Sequence, residues 1–355
     1  MTGGVDPELR DLFLRDFVPH PALRIEEHVV PAARFPAVDA HHHAGRWLTG
    51  DWLAPDVDAL LRLMDAANVS AIVNLDGRWD AELEANLDRY DRAHPGRFVT
   101  FCHLDWREAA AGPGFGDRLA GSLRRAVETG ARGVKVWKDL GLHVRDHDGE
   151  LLMPDDDRLG PVFDAAAALE VPILIHTADP VAFFEPVDRF NERLEELLEN
   201  PDWSFADPSF PRFDELMASL EALVAAHPRT TFIGAHVGCN AENLAWVDRM
   251  FDTYPNFHAD IGARIAELGR QPRSARELIV KHPDRVLFGT DEYPASARTY
   301  AVHFRFLETE DEHFAYSVEE PPPQGRWAIS GLGLDDEVLR QLYAGNARRL
   351  IPGLA

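Results

Sequence analysis

The chain has 355 residues, of which 45% are hydrophobic, a composition typical of a globular protein with a sizeable core. Its formal net charge of −24 argues against binding to nucleic acids or to anionic membranes, both of which favour basic surfaces. The two cysteines are too few for a disulfide framework, and neither a secretory signal nor a membrane-spanning run is recognisable. The sequence therefore predicts a cytoplasmic protein.

Strand-like and helix-like patterns alternate along the chain after a helical lead-in over residues 1–34. The predicted strands cover residues 35–43, 70–75, 98–104, 133–138 and 172–176, a run ending at 236, residues 256–261 and a run ending at 291. The predicted helices lie near 57–64, 80–93, 116–129, 158–169, 213–223, 241–252, 273–282, 296–307 and 335–349. Eight such units without a linker predict an α/β fold, a single (β/α)8 TIM barrel over residues 35–355, with residues 1–34 as an extension packing on the barrel.

Two long segments interrupt this alternation. Residues 178–212, between the fifth strand and its helix, are rich in aromatic side chains, which predicts an ordered lid or pocket wall. Packing outside the barrel or in a dimer interface is the alternative for this segment. Residues 308–333 combine an acidic run with three consecutive prolines, which predicts a stiff, solvated loop. A small-molecule substrate is the expected partner, and the aromatic segment makes a homodimer a candidate assembly.

Four of the apolar strands end in a residue type that can bind a metal ion. The first carries His41 and His43, which the alternation of side chains places on one face of the strand. The later runs end in His176, His236 and Asp291. Because the carboxyl ends of the strands in a parallel barrel share one rim, we expect these side chains to converge there on a metal ion.

A few further residues near the predicted rim are candidates for the site. Only three lysines occur among the 36 basic residues, and two of them, Lys135 and Lys138, lie together in the fourth strand. An amine can lose its proton when it is buried, so chemistry is one interpretation and an internal salt bridge is the other. Arg46 and Arg264 could each hold a substrate carboxylate or lie on the surface, and Trp137 could line the pocket or the core.

Together these motifs resemble the amidohydrolase superfamily, and more narrowly the amidohydrolase-related branch. That branch includes aminocarboxymuconate-semialdehyde decarboxylase, aromatic acid decarboxylases and some lactonases. The matching segments are residues 38–43, 171–176, 234–238, 288–291 and 346–350. The resemblance implies that His41, His43, His176 and Asp291 bind a divalent metal, and their donor atoms make Zn²⁺ the expected ion. It also implies that Asp291 and His236 are catalytic, Asp291 by moving a proton and His236 by orienting the substrate or acting as an acid.

The resemblance leaves the reaction open. The main expectation is a metal-dependent hydrolase that acts on a small amide, ester or lactone through a metal-activated water. The alternative is a non-oxidative decarboxylase of an aromatic or unsaturated carboxylic acid, which uses the same ligands. The segment 237–240 has only one glycine where such decarboxylases often have a glycine-rich stretch, which favours hydrolysis. We expect one ion per chain; the alternative is a pair of ions bridged by a carboxylated Lys135.

Overall fold

Eight short parallel strands form the centre of the molecule. In the computed structural model, which describes residues 7–293 and 295–354, they lie in chain order around one core. Their bounds are β1 (Ala37–His42), β2 (Val69–Asn74), β3 (Phe98–Thr100), β4 (Val134–Val136), β5 (Ile173–Ile175), β6 (Phe232–Gly234), β7 (Phe257–Asp260) and β8 (Val286–Leu287). Nearly all their residues are buried, as expected of parallel strands that are covered on both faces.

Backbone hydrogen bonds close these strands into a barrel. Strands β1–β3 pair in parallel with one another, and so do strands β4–β8. A parallel bridge between Cys102 and Val134 joins the end of β3 to β4. On the other side, the Ala40 N–H donates to the Phe288 carbonyl at 2.9 Å and joins β1 to the end of β8. The fold is therefore the (β/α)8 barrel that the sequence predicts.

Helices pack against the outside of the strands through their apolar faces; α4, for example, buries Leu119 and Leu123. The helices are α1 (Val57–Ala66), α2 (Asp80–Leu87), α3 (Arg107–Ala110), α4 (Phe115–Thr129), α5 (Asp139–Leu142), α6 (Gly160–Ala168), α7 (Leu194–Glu199), α8 (Phe213–Ala226), α9 (Ala235–Gly238), α10 (Leu244–Thr253), α11 (Ile265–Arg270), α12 (Pro272–Lys281), α13 (Ala297–Glu308), α14 (Asp336–Arg340) and α15 (Asn346–Leu350). Within the described ranges, none of them has the length and apolarity needed to cross a membrane.

The segments outside the strand–helix repeat have little regular structure. Between β5 and α8 the chain forms α7 and two 3-10 helices, Val181–Phe184 and Pro201–Trp203. The lead-in forms two short 3-10 helices, Pro7–Asp11 and Leu14–Asp16, instead of the expected α-helix, and residues 1–6 of the predicted extension lie outside the described part. An isolated helix this short is marginal in water, and the side chains of residues 9–24 are almost all exposed, so no packing stabilises one.

Candidate metal centre and substrate cavity

Two histidines at the carboxyl end of β1 are oriented by carboxylates from other strands. The His41 Nδ1–H donates to Asp260 Oδ2 at 2.9 Å, and the His43 Nδ1–H donates to Asp76 Oδ1 at 2.7 Å. All four side chains are buried. Because each Nδ1 is engaged, the Nε2 atom of each ring is the one that faces the opening of the barrel. Such carboxylate–histidine pairs are the usual support of metal-binding imidazoles.

Asp291 brings a carboxylate to these two nitrogen atoms. It follows β8 in a left-handed conformation with φ of 57°, which is uncommon for a residue with a Cβ and costs on the order of 1 kcal/mol or more. Its N–H donates to the His41 carbonyl at 2.8 Å, which fixes it against β1. Its Oδ1 then lies 3.4 Å from His41 Nε2 and 3.1 Å from His43 Nε2. The three donor atoms lie within 4.8 Å of one another.

Asp39, the acid of the Asp-X-His-X-His motif, holds the loop that carries Asp291. It is fully buried and accepts hydrogen bonds from Thr290 N at 3.0 Å and Thr290 Oγ1 at 2.7 Å. The Tyr300 hydroxyl of α13 donates to the same carboxylate at 3.1 Å. Asp39 therefore joins β1 to the end of β8, and it acts on the centre through the position of Asp291.

The centre is strongly polarised. Burial opposes a charge on His43, but Asp76 and Asp291 outweigh it and raise the pKa of His43 to about 9. Burial likewise favours the neutral form of Asp76, yet His43 lowers its pKa to about 2. The pKa of Asp291 is well below its usual range, because His41, His43 and His236 outweigh the effect of burial. The carboxylates are therefore ionised and attract a cation or a proton.

His176 lines the same cavity but is not one of the three converging donors. Its Nε2 lies 3.2 Å from Asp179 Oδ1, and the second oxygen of Asp179 forms an ion pair with Lys138. Burial lowers the pKa of His176 to about 4, so the imidazole is neutral. The structure thus brings together three of the four predicted ligands and places the fourth at the cavity wall, where Asp179 occupies its Nε2.

His236 lies between these two groups. The ring centroids of His236 and His176 are 4.4 Å apart, and His236 Nδ1 lies 3.7 Å from Asp291 Oδ2. Its Nδ1–H donates to the Gly262 carbonyl at 2.8 Å, which leaves Nε2 as the nitrogen with a free lone pair. Burial and the neighbouring His176 hold the pKa of His236 well below its usual value, so this ring is neutral as well.

Lys135 projects from β4 into the middle of the site. Its Nζ lies 3.2 Å from His41 Nε2 and 5.0 Å from the centroid of the Trp137 ring. The side chain is buried, and this desolvation lowers the pKa of Lys135. The lysine is therefore placed where it could contact a metal ion bound by His41, while its carboxylation stays a prediction.

The donor set fits a divalent metal ion. Two imidazole Nε2 atoms and a carboxylate oxygen are a combination that Zn²⁺ and similar borderline ions accept. The ring orientations of His41 and His43 are fixed from behind by Asp260 and Asp76, as metal ligands require. His41, His43 and Asp291 would hold the ion, and His176 would join them only after giving up its bond to Asp179.

A cavity of about 500 Å³ opens above the centre. Its aromatic lining residues are Trp137, Phe183, Trp203 and Tyr293. Arg264, which follows β7, also lines it and is only 6% exposed. Its Nη1 donates to the Ala263 carbonyl at 2.8 Å, and no carboxylate of the described residues lies within 4.0 Å of its guanidinium. The cavity therefore contains a buried cation that forms no direct ion pair with the described residues, while Glu196 and Glu242 act on it from a longer distance.

Arg46, the other predicted carboxylate-binding residue, lies outside this cavity. Its guanidinium forms a bidentate ion pair with Glu82, with bonds of 3.0 Å from both Nε and Nη2, and also stacks on Trp52. It lines a separate surface depression with Trp47 and Trp79. Glu82 therefore accepts the hydrogen bonds of Arg46 that the sequence analysis had assigned to a substrate carboxylate.

Comparison with known proteins places this architecture in a family. A family model described as amidohydrolase matches residues 38–353, almost the whole barrel. The chain belongs to the amidohydrolase family. Enzymes of this family bind a divalent metal ion, which agrees with the donor set at the carboxyl ends of β1 and β8. The search of curated proteins gives no significant match.

Several solved structures share the fold of this amidohydrolase. A 2,6-dihydroxybenzoate decarboxylase from Rhizobium has 18% sequence identity and a TM-score of 0.57, with 89% of this chain and 98% of that chain covered. A dihydroxybenzoic acid decarboxylase from Polaromonas, solved with manganese and 2-nitroresorcinol, has 16% identity, a TM-score of 0.57, and coverages of 89% and 96%. A hypothetical amidohydrolase from Staphylococcus aureus has 18% identity, a TM-score of 0.53, and coverages of 89% and 99%. At this identity the similarity establishes the fold.

Three acidic residues of the site were not singled out from the sequence. Asp260 ends β7 and Asp76 follows β2. His176 and Asp291 were selected because a metal-binding residue type ends an apolar strand, and the same criterion, applied to all eight strands, would have found Asp260 and Asp76. Asp179 has a weaker signal, because only its position three residues after His176 connects it with the site.

Proposed function

We propose that the protein is a metal-dependent decarboxylase that removes carbon dioxide from a small aromatic or unsaturated carboxylic acid. The observation that carries this proposal is Arg264, a buried guanidinium without a carboxylate partner among the described residues. Glu196 and Glu242 act on Arg264 only from beyond ion-pair distance, so its guanidinium is free to bind an incoming anion directly. A substrate carboxylate could accept two parallel hydrogen bonds from it.

The proposed metal site consists of His41, His43 and Asp291, with one ion per chain and Zn²⁺ as the ion that best matches these donors. A bound divalent ion would supply positive charge that polarises an oxygen atom of the substrate. His176 is the proposed fourth ligand, and Lys135 is the residue that a second ion would require in carboxylated form.

The side chains of the cavity would do the remaining work. Arg264 would hold the substrate carboxylate while the ring of Trp137 and the other aromatic walls exclude water. When the bond between the carboxylate and its carbon breaks, carbon dioxide leaves and the electron pair stays on that carbon, which then takes a proton. Because Asp291 is ionised and His236 is neutral, this proton comes from water, and these two groups, 3.7 Å apart at the bottom of the cavity, are placed to relay it.

The fold neighbours support this choice between the two reactions, since two of those described above are decarboxylases of dihydroxybenzoic acids. A specific observation keeps hydrolysis as the second candidate. Asp291 Oδ1 lies 3.4 Å from His41 Nε2 and 3.1 Å from His43 Nε2, so this carboxylate is positioned to accept a hydrogen bond, and then the proton, from a water that attacks at this centre. The two candidates differ in their products, which makes them separable by assay.

The test is a substrate panel with the metal-reconstituted protein. Hydroxybenzoates and unsaturated acids are assayed for released carbon dioxide, and esters, lactones and amides for hydrolysis. We expect carbon dioxide release, with kcat/KM reduced about 10- to 100-fold or more by Arg264→Gln, since one charge-assisted bidentate contact is lost. Arg46→Gln is the matched control and should leave kcat/KM unchanged. Turnover of esters, lactones or amides without carbon dioxide release would refute the proposal.

A further inference from the structure

The loop formed by residues 308–333 contributes to the wall of the cavity. The sequence predicts a stiff, solvated loop here, and the side chains of this loop that line the cavity are Glu319, Pro323 and Gln324. Three consecutive prolines, residues 321–323, stand directly before Gln324, and their rings fix the φ angle of each residue. This part of the loop therefore has few conformations available, and Gln324 projects from a restricted backbone.

Tyr316 ties the end of this loop to its start. Its buried hydroxyl accepts hydrogen bonds from the N–H groups of Gln324 at 2.9 Å and Gly325 at 3.0 Å, and donates to the Gly325 carbonyl at 3.0 Å. A hydroxyl group offers one donor and two acceptor positions, so all of them are occupied. Two backbone hydrogen bonds of 2.9 Å between Phe314 and Ile329 close the base of the loop. The backbone position of Gln324 is therefore fixed by the protein itself, before any ligand arrives.

The side chain of Gln324 shares a hydrogen-bond acceptor with Arg264. Gln324 Nε2 donates to the Ala263 carbonyl oxygen at 3.2 Å, and Arg264 Nη1 donates to the same oxygen at 2.8 Å. Ala263 follows β7 in a left-handed conformation with φ of 53°, and its N–H donates to the Thr290 carbonyl at 3.0 Å. The amide and the guanidinium are therefore neighbours on one wall of the cavity, at positions that are set by the backbone.

The amide oxygen of Gln324 is left as a free acceptor. The bond to Ala263 engages the donor end of the amide, so Oε1 is the other end, and no N–H or O–H group of the described residues donates to it. The cavity wall thus offers a charged donor, Arg264, next to a neutral acceptor, Gln324. A ligand that carries a carboxylate and a hydrogen-bond donor close together matches both groups. An acid that lacks the donor displaces water from Oε1 without replacing its hydrogen bond.

We infer that Gln324 is a specificity-determining residue of the cavity, which accepts a hydrogen bond from a hydroxyl or amino group close to the carboxylate of the substrate. The inference rests on the proposed function, in which Arg264 holds that carboxylate. Because the amide and the guanidinium bond to one oxygen atom, the two substrate groups that they bind must also be neighbours. On an aromatic acid, the donor therefore belongs on the carbon next to the one that carries the carboxylate, and a donor across the ring is out of reach.

The experiment compares the binding of 2-hydroxybenzoate and 2-fluorobenzoate, two acids of similar size of which only the first has a donor beside the carboxylate. Isothermal titration calorimetry is carried out on the full-length, metal-free protein, so that no ion binds the hydroxyl group and no turnover consumes the acid. We expect the wild type to prefer 2-hydroxybenzoate about 2- to 12-fold, the range of one neutral hydrogen bond. Gln324→Leu should abolish this preference and leave the affinity for 2-fluorobenzoate unchanged. Gln341→Leu, which alters an exposed glutamine outside the cavity, is the matched control and should keep the preference.

Two further arms separate the role of Gln324 from the proposed function. Arg264→Gln should weaken the binding of both acids about 10-fold or more, since both lose the same carboxylate contact. If neither acid binds, or if Arg264→Gln binds both like the wild type, the carboxylate site of the proposed function fails, and this inference fails with it.

The role of Gln324 alone is overturned if both acids bind through Arg264 with equal affinity. It is also overturned if the preference survives in Gln324→Leu, which would assign the hydroxyl group to another acceptor such as Glu319. A preference for 4-hydroxybenzoate over 4-fluorobenzoate that depends on Gln324 would contradict the placement of the donor beside the carboxylate. Circular dichroism checks the fold of Gln324→Leu, and Gln324→Met, which has an unbranched side chain, takes its place if the leucine variant does not fold.

Discussion

Replacing Asp260 by asparagine tests how the candidate centre is held together. The carboxylate is fully buried and accepts three hydrogen bonds, from His41 Nδ1 at 2.9 Å, His236 N at 3.1 Å and Gly262 N at 2.9 Å. Asparagine has the same shape but only one acceptor oxygen. Its NH₂ group must therefore face either the imidazole N–H or the backbone N–H groups, and buried donors lose their partner in both orientations.

The size of the effect follows from the kind of bond that is lost. A hydrogen bond to a charged group contributes about 1.5–3 kcal/mol, which corresponds to roughly 10- to 150-fold in an equilibrium constant. Removing a carboxylate behind a metal-binding histidine lowers metal affinity by about 10- to 100-fold in other sites. We therefore expect Asp260→Asn to weaken metal binding by one to two orders of magnitude, roughly, through the orientation of His41.

The assay is competition for the metal between the protein and a chelator of known affinity, combined with thermal unfolding of the metal-free protein. Asp284→Asn is the control, because that carboxylate is largely exposed and its contact with Arg285, at 3.7 Å, is too long for a hydrogen bond. Unchanged metal affinity in Asp260→Asn, with its fold intact, would refute the view that Asp260 positions His41. If Asp260→Asn does not fold, Asp260→Glu takes its place in the test, because this variant keeps the charge and shifts its position.

Four further predictions concern the same region. The pKa of His43, raised to about 9 by Asp76 and Asp291, means that a metal ion must displace a proton, so metal affinity measured by titration should rise about tenfold per pH unit up to pH 9. The same raised pKa stabilises the metal-free protein fully below pH 6.5, and denaturant melts should show this contribution disappearing as the pH rises through 9. Arg193→Met should lower the free energy of unfolding by about 3–5 kcal/mol, because it leaves Glu267 buried without its ion-pair partner; an unchanged urea midpoint would contradict this. Gly262→Ala should lower kcat/KM about tenfold or more, because the new Cβ would lie 3.1 Å from His41 Nδ1, whereas Gly160→Ala, whose nearest neighbour is 3.8 Å away, should not.

The sequence predicts the barrel because the strands are short apolar runs and their spacing is regular. It also predicts where His41, His43, His236 and Asp291 lie, because strand ends in a parallel barrel share one rim. The bond between His176 and Asp179 could not be predicted, since it depends on how the chain turns after β5. The ion pair that takes Arg46 out of the cavity depends likewise on the loops after β1 and β2, and these loops are set by tertiary contacts.

In the N-terminal lead-in, the sequence predicts an α-helix that the structure does not have. Its apolar residues have a helical spacing, but spacing predicts a helix only when there is a surface on which the helix can pack. In the folded chain Phe13 and Phe17 meet solvent, and the segment forms 3-10 turns. Without a surface to pack on, the same pattern therefore indicates an exposed apolar segment rather than a helix of the barrel.

The contact between β1 and the end of β8 has a consequence for the biosynthesis of the protein. His41 emerges from the ribosome about 250 residues before Asp291, and both Asp260 and Asp291 belong to the last strands of the barrel. Metal binding at the proposed centre would therefore await synthesis of the last strands, because the early histidines cannot reach their final geometry before then. An ion that needs all three donors would bind the closed barrel more tightly than the open one, so its arrival should act as the last step of maturation and slow the separation of β8 from β1.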